Sequence, residues 1–127
     1  MSIEDNNNKI EDRGINAFDF DGVISLGINP GPKDVIISGR SFEEASYVNQ
    51  ILKERGIYNA VYFNTMHKEG RKRSDSGKHK AHILSTLIKN GVIIDKFFED
   101  DEIQIKEIQK IHPNLPVVHI KSDLVEK

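Results

Sequence analysis

The sequence contains no cysteine, which excludes disulfides, thiolate nucleophiles and cysteine zinc sites. No apolar run approaches the roughly 20 residues needed to cross a bilayer, and the polar N-terminus lacks the apolar core of a signal peptide. The expectation is a cytoplasmic protein without membrane contact. Charge of one sign is also lacking: 18 Lys and Arg against 20 Asp and Glu leave a net −2, so any attraction to a polyanion must be local. What is present is an ordinary soluble composition, 37% hydrophobic and 30% charged over 127 residues, enough for one domain with a real core. Residues 1–14, with little that could be buried, read as a flexible tail, and 15–122 as the folded domain.

The period of the apolar residues alternates between strand and helix. Residues 15–20 read as a first strand, and the Gly- and Pro-crowded stretch 22–33 leaves no room for a helix. Residues 34–38 form a continuously apolar strand of the kind buried on both faces of a parallel sheet. Ser41-Phe42-Glu43-Glu44 has the form of a capping box. It opens a helix with Phe42, Ala45, Val48, Ile51 and Leu52 on one face and Gly56 as its stop. A third strand lies within 57–63, followed by a long polar loop from Asn64 to Gly77. Ser76 is the expected cap of a second helix over 78–90, with Ala81, Leu84, Leu87 and Ile88 inward. A fourth strand, 92–98, runs into Glu99-Asp100-Asp101-Glu102. A third helix carries Ile105, Ile108 and Ile111 inward, and 116–120 makes a fifth strand. This order predicts an α/β, three-layer, Rossmann-like domain with a five-stranded parallel sheet, no cap domain, and a site at the strands' carboxyl ends.

Several polar groups are delivered to that end. Asp19 and Asp21 fall one residue apart where the first strand meets a glycine turn, and their repulsion calls for a cation or a shared proton. Such a pair can hold Mg2+ through oxygen ligands, with one Asp free to attack phosphorus and the other to move a proton. A polar Asp-Gly turn is the structural alternative. Ser38-Gly39-Arg40 ends the second strand, where Ser38 is either a ligand donor or only a turn residue. Asp100 and Asp101 end the fourth strand or cap the helix after it. His79 and His82 read as surface histidines rather than metal ligands.

Four stretches in this order carry a family resemblance. Asp19-Phe20-Asp21-Gly22-Val23, Val35-Ile36-Ile37-Ser38-Gly39-Arg40, a lysine at 80 or 78, and Phe97-Phe98-Glu99-Asp100-Asp101 resemble the motifs of haloacid-dehalogenase-superfamily phosphatases, over about residues 15–120. The resemblance implies a Mg2+-dependent phosphomonoester hydrolase in which Asp19 forms an aspartyl-phosphate and Asp21 is general acid and then base. It implies that Ser38 donates to a phosphoryl oxygen and that Lys80, with Lys78 as the alternative, neutralises the crowded charge. The metal would be held by Asp19, by Asp21 through its backbone carbonyl and by Asp100, with Asp101 direct or one shell out. Gly39, Arg40 and Lys78 are candidate substrate contacts.

The short links after the first and third strands leave no room for a cap, so the site should be open and covered by a large substrate or a second subunit. Residues 67–80 concentrate positive charge beside the expected crevice, which points to a nucleotide or a nucleic-acid end phosphate as substrate. That segment carries no aromatic stacking platform. The alternatives are a small-molecule (sugar phosphate) phosphatase closed by homo-oligomerisation, and a non-catalytic module that binds phosphate or nucleic acid.

Overall fold

A computed structural model describes residues 14–121. The expected tail, apart from Gly14, and the last residues of the expected domain and chain lie outside that range. Alternate residues of the central strands serve two different layers. On one face Ala17, Ile37 and Phe97 pack with Ala81, Leu84 and Ile108. On the other, Phe18 and Ile36 pack with Val48 and Leu52. Each such fully buried Leu, Ile or Phe contributes about 1.5–3 kcal/mol of burial free energy, and this two-sided burial selects a parallel sheet.

The strands are β1 (Ile15–Phe18), β2 (Val35–Ser41), β3 (Val61–Asn64), β4 (Ile94–Glu99) and β5 (Val117–His119), in the order β3-β2-β1-β4-β5. All four pairings are parallel. Helix α1 (Ala45–Glu54) covers one face; α2 (Arg73–Lys89) and α3 (Glu102–Ile111) cover the other. The order reverses direction at β1 and β4, and the crevice beyond their carboxyl ends is where such sheets bind ligands. No helix among the described residues is long and apolar enough to cross a membrane.

Several boundaries differ from expectation. β1 stops at Phe18, whereas β2 runs on to Ser41. The link between them, expected to hold no helix, contains a 3-10 turn at Ile24–Leu26. Phe20, Val23 and Ile24 of that link are buried in the same cluster as Val48 and Leu52, so a loop takes the place of a crossover helix. Arg55 at the end of α1 pins it by donating to the carbonyls of Ile24 and Ser25. The capping box is present, with the Ser41 amide bonded to Glu44, but Phe42 is exposed because a 3-10 turn precedes α1. Ile88 and Ile111, expected inward, are also exposed in the last turns of their helices.

The largest shift concerns α2, which begins at Arg73 rather than near Lys78. The Asp75 carboxylate accepts from the Lys72 amide at 2.9 Å, so the acid at the third helical position, not Ser76, anchors the start. Ser76 is instead buried inside the helix, its hydroxyl donating to the Gly39 carbonyl at 3.3 Å. Gly77 lets α2 and α3 meet closely: a Cβ there would lie 2.8 Å from Glu107 Cβ and 2.9 Å from Gln104 Cα. That approach brings the N-termini of both helices to one end of the sheet.

Candidate active site

Asp19 is the first residue past β1, and its amide still donates to the Phe98 carbonyl of β4 at 2.9 Å. It continues the alternation that turns Ala17 toward α2 and α3, and Glu99 continues the same alternation from Phe97 on β4. Between them stands Lys80 of α2. Its Nζ donates to Asp19 Oδ1 at 2.8 Å and to Glu99 Oε1 at 2.6 Å, with all three residues buried. The second oxygen of Glu99 accepts from the amides of Asp100 and Asp101, at 3.0 and 3.3 Å, and so shapes the turn that follows β4.

The electrostatics of this cluster favour a cation. Burial opposes the Lys80 charge, but Asp19 and Glu99 outweigh it and hold the ammonium above its ordinary range. Burial and then the charge of Glu99 push Asp19 well up despite the lysine. Burial likewise pushes up Glu99, and burial and then Asp19 push Asp100 up to about 6. One ammonium thus faces three carboxylates, and the surplus negative charge is relieved by protons or by a metal. Oxygens of Asp19, Glu99 and Asp100 lie within 4.8 Å of one another. An all-oxygen set of this kind fits a hard divalent cation.

The remaining sequence candidates are placed differently from one another. Asp21 lines the cleft, its carboxylate accepting two bonds from Arg40, Nε to Oδ2 and Nη2 to Oδ1, each 2.9 Å. Arg40 also reaches Glu44 at 2.6 Å, and these acids raise its already high pKa. Asp101, offered as a metal ligand, stands apart from the cation cluster: its oxygens accept from Arg73, the Ile103 amide and Gln104. It is the cap of α3, and although burial works against its charge, these donors hold its pKa below the ordinary range. Ser38 is fully buried, its hydroxyl accepting from the Arg40 amide at 3.1 Å. It shares the α1-facing side with Ile36, so Gly39 and Arg40, not Ser38, line the cleft. Lys78, offered as a substrate contact, is exposed and does not line the cleft. Of the two lysines, Lys80 is the one that meets Asp19.

Asp19, Asp21, Arg40, Lys80, Asp100 and Asp101 surround a cleft of about 400 Å³ that also takes in Arg71, Lys72, Arg73, Ser76 and Gln104. No family model matches the sequence, and no curated protein matches it. Glu99 and Gln104 carried no role of their own in the sequence reading, and Arg71 and Arg73 only a share in the basic stretch 67–80. Alternation along β4 could have found Glu99, because Phe97 must face the core and Glu99 then shares its side. Arg71 and Arg73 were hidden by the misplaced start of α2.

Proposed function

We propose that the protein is a Mg2+-dependent phosphomonoester hydrolase working through an aspartyl-phosphate on Asp19, as in the haloacid-dehalogenase superfamily its motifs resemble. The observation that carries the reading is the buried Asp19–Lys80–Glu99 cluster beside Asp100, at the carboxyl ends of β1 and β4, with Asp19, Lys80 and Asp100 lining the cleft. Asp19, Glu99 and Asp100 would hold the metal, which supplies positive charge to offset that of a phosphate monoester.

The chain's own residues do the rest. A carboxylate oxygen of Asp19 bonds to phosphorus while the ester oxygen departs with the P–O electron pair and takes a proton from Asp21. Asp21, now ionised, takes a proton from water as the water oxygen attacks the acyl phosphate. The P–O bond to Asp19 breaks, inorganic phosphate leaves and Asp19 is restored. Lys80 holds Asp19 in place and offsets charge as it gathers on phosphorus. Arg40 bonds both oxygens of Asp21 and must release the group, which takes a proton from solvent, for the first proton transfer.

Phosphate release from an aryl phosphate, from phosphorylated mononucleotides and from oligonucleotides, with Mg2+ or a chelator, tests the reading. Release should require Mg2+ and vanish in Asp19→Asn, and Asp21→Asn should lower it by about 100-fold or more. No release from any phosphomonoester would sink it. The basic wall of the cleft, Arg71 to Arg73, favours a nucleotide or nucleic-acid end. A small sugar phosphate would leave the cleft open and need a second copy to exclude water, which gel filtration would register as an oligomer.

A further inference from the structure

The cleft has two chemically unlike ends. Around Asp19 it is acidic, whereas Arg40, Arg71, Lys72 and Arg73 bring four cations to the remainder. Two of those four are committed: Arg40 to Asp21 and Glu44, and Arg73 to Asp101. Arg71 is not. Its closest acid is Glu44, 3.6 Å away and beyond hydrogen-bond reach, and the nearer claim on that carboxylate belongs to Arg40 at 2.6 Å. Arg71 Nη1 is shut off from solvent with no hydrogen-bond partner among the described residues. An unmade bond from a buried guanidinium is unfavourable until an acceptor arrives. A small turn of this side chain at the cleft wall presents the N–H to a ligand and gives up only the loose contact with Glu44. Lys72, beside it, forms no ion pair among the described residues. In the same cleft, Gln104 Oε1 is a buried acceptor without a donor among the described residues, while its Nε2 is spent on Asp101.

We propose that Arg71, with Lys72 beside it, forms a second anion subsite that binds a phosphate of the substrate other than the one transferred. This rests on the hydrolase reading above for which phosphate reacts, but the subsite itself does not. Gln104 Oε1 adds a preference for a hydroxyl or amino donor next to that second phosphate. The substrate class is an organic bisphosphate, supplied either by a nucleoside bisphosphate or by the end of a phosphorylated oligonucleotide, in which the neighbouring phosphodiester is the second anion. Planar two-point contact with phosphate is what a guanidinium does better than an ammonium.

The test compares kcat/KM for a nucleoside bisphosphate and for a terminally phosphorylated dinucleotide with that for phenyl phosphate, in wild type, Arg71→Ala, Arg71→Lys and Lys89→Ala. Lys89→Ala removes one charge at the far end of α2, the helix that Arg71 and Lys72 precede. The wild type should favour the two-phosphate substrates at least about tenfold. Arg71→Ala should erase most of that ratio through KM, Arg71→Lys should recover part of it, and Lys89→Ala should keep it. Thermal melts confirm that each variant is folded. A wild type without preference, or a ratio untouched by Arg71→Ala, overturns the subsite. Whichever two-phosphate substrate is better identifies its source. If nothing is hydrolysed, calorimetric titration with the nucleoside bisphosphate and the corresponding monophosphate decides separately. Arg71-dependent preference for the former upholds the subsite while the hydrolase reading falls, and its absence removes both.

Discussion

Lys80 shows what one side chain costs and supports at this site. A lysine in the first half of a helix ordinarily reaches solvent, yet this one is 1% exposed because Asp19 and Glu99 receive its ammonium. Removing one partner of a buried ion pair costs about 3–5 kcal/mol, since the other charges are left unmatched. Lys80→Met should therefore destabilise by that order at neutral pH in urea unfolding, and abolish turnover. The two carboxylates left behind have folded-state pKa values raised by burial, so the folded state binds protons first on acidification. The deficit must shrink in mild acid and grow as pH rises; a pH-independent deficit would mean that lost packing, not charge, is responsible. Asp19 and Asp21 were legible as residues because they end a short apolar strand, and Lys80 because it leads into the apolar face of its helix. Asp101 stayed open between metal contact and helix cap because a carboxylate at a strand end and one at a helix cap are the same letter, and the arrival of Arg73 and Gln104 makes it the cap.

At the scale of elements, the contact of α2 with α3 sets the cleft. Gly77 has no positive φ, so its requirement is space alone, and Gly77→Ala should cost about 1–3 kcal/mol by overpacking. Because the shift would separate Arg73 from Asp101, turnover should fall by more than the fraction unfolded explains; denaturant melts and kcat on the same preparation check this. α2 also carries His79. Burial first, and then the positive charge of Lys80, push its pKa from 6.5 down to about 4. The unfolded chain takes that proton earlier as pH falls, so this residue removes stability between about pH 6.5 and 4. In His79→Gln that part of the acid loss should disappear; an unchanged slope would place the titration elsewhere. The strand and helix order was readable from apolar period alone, but the start of α2 was not. Three basic residues at a helix N-terminus run against the dipole, and Ser76 mimics a cap, so local signals favoured a later start than the Asp75 anchor and the packing on Gly39 impose.

For the whole molecule, the cluster of Asp19, Glu99 and Asp100 joins β1 and β4 to α2 through Lys80. A cation bound there acts on the native state alone. At about 100 times its Kd, Mg2+ should add roughly 2.7 kcal/mol of stability, read as a rise in Tm that Asp100→Asn largely removes. No rise in either protein would argue against a metal site. The all-parallel five-stranded sheet follows from continuous apolar strands separated by helices, and its reversal at β1 and β4 follows from α2, whose connection carries the chain from β3 back past β2 and β1 to β4. The link after β1 has a further consequence. Asp19, Asp21 and Gly22 alternate along it with Phe20 and Val23, which are locked in the core. The turn that holds Asp19 and Asp21 cannot loosen as a surface loop would, on nanoseconds; it opens only when part of the hydrophobic layer opens. Amide protons of Ser25, bonded to Phe20, and Gly22, bonded to the Ser25 hydroxyl, should accordingly exchange with deuterium as slowly as those in the middle of the sheet.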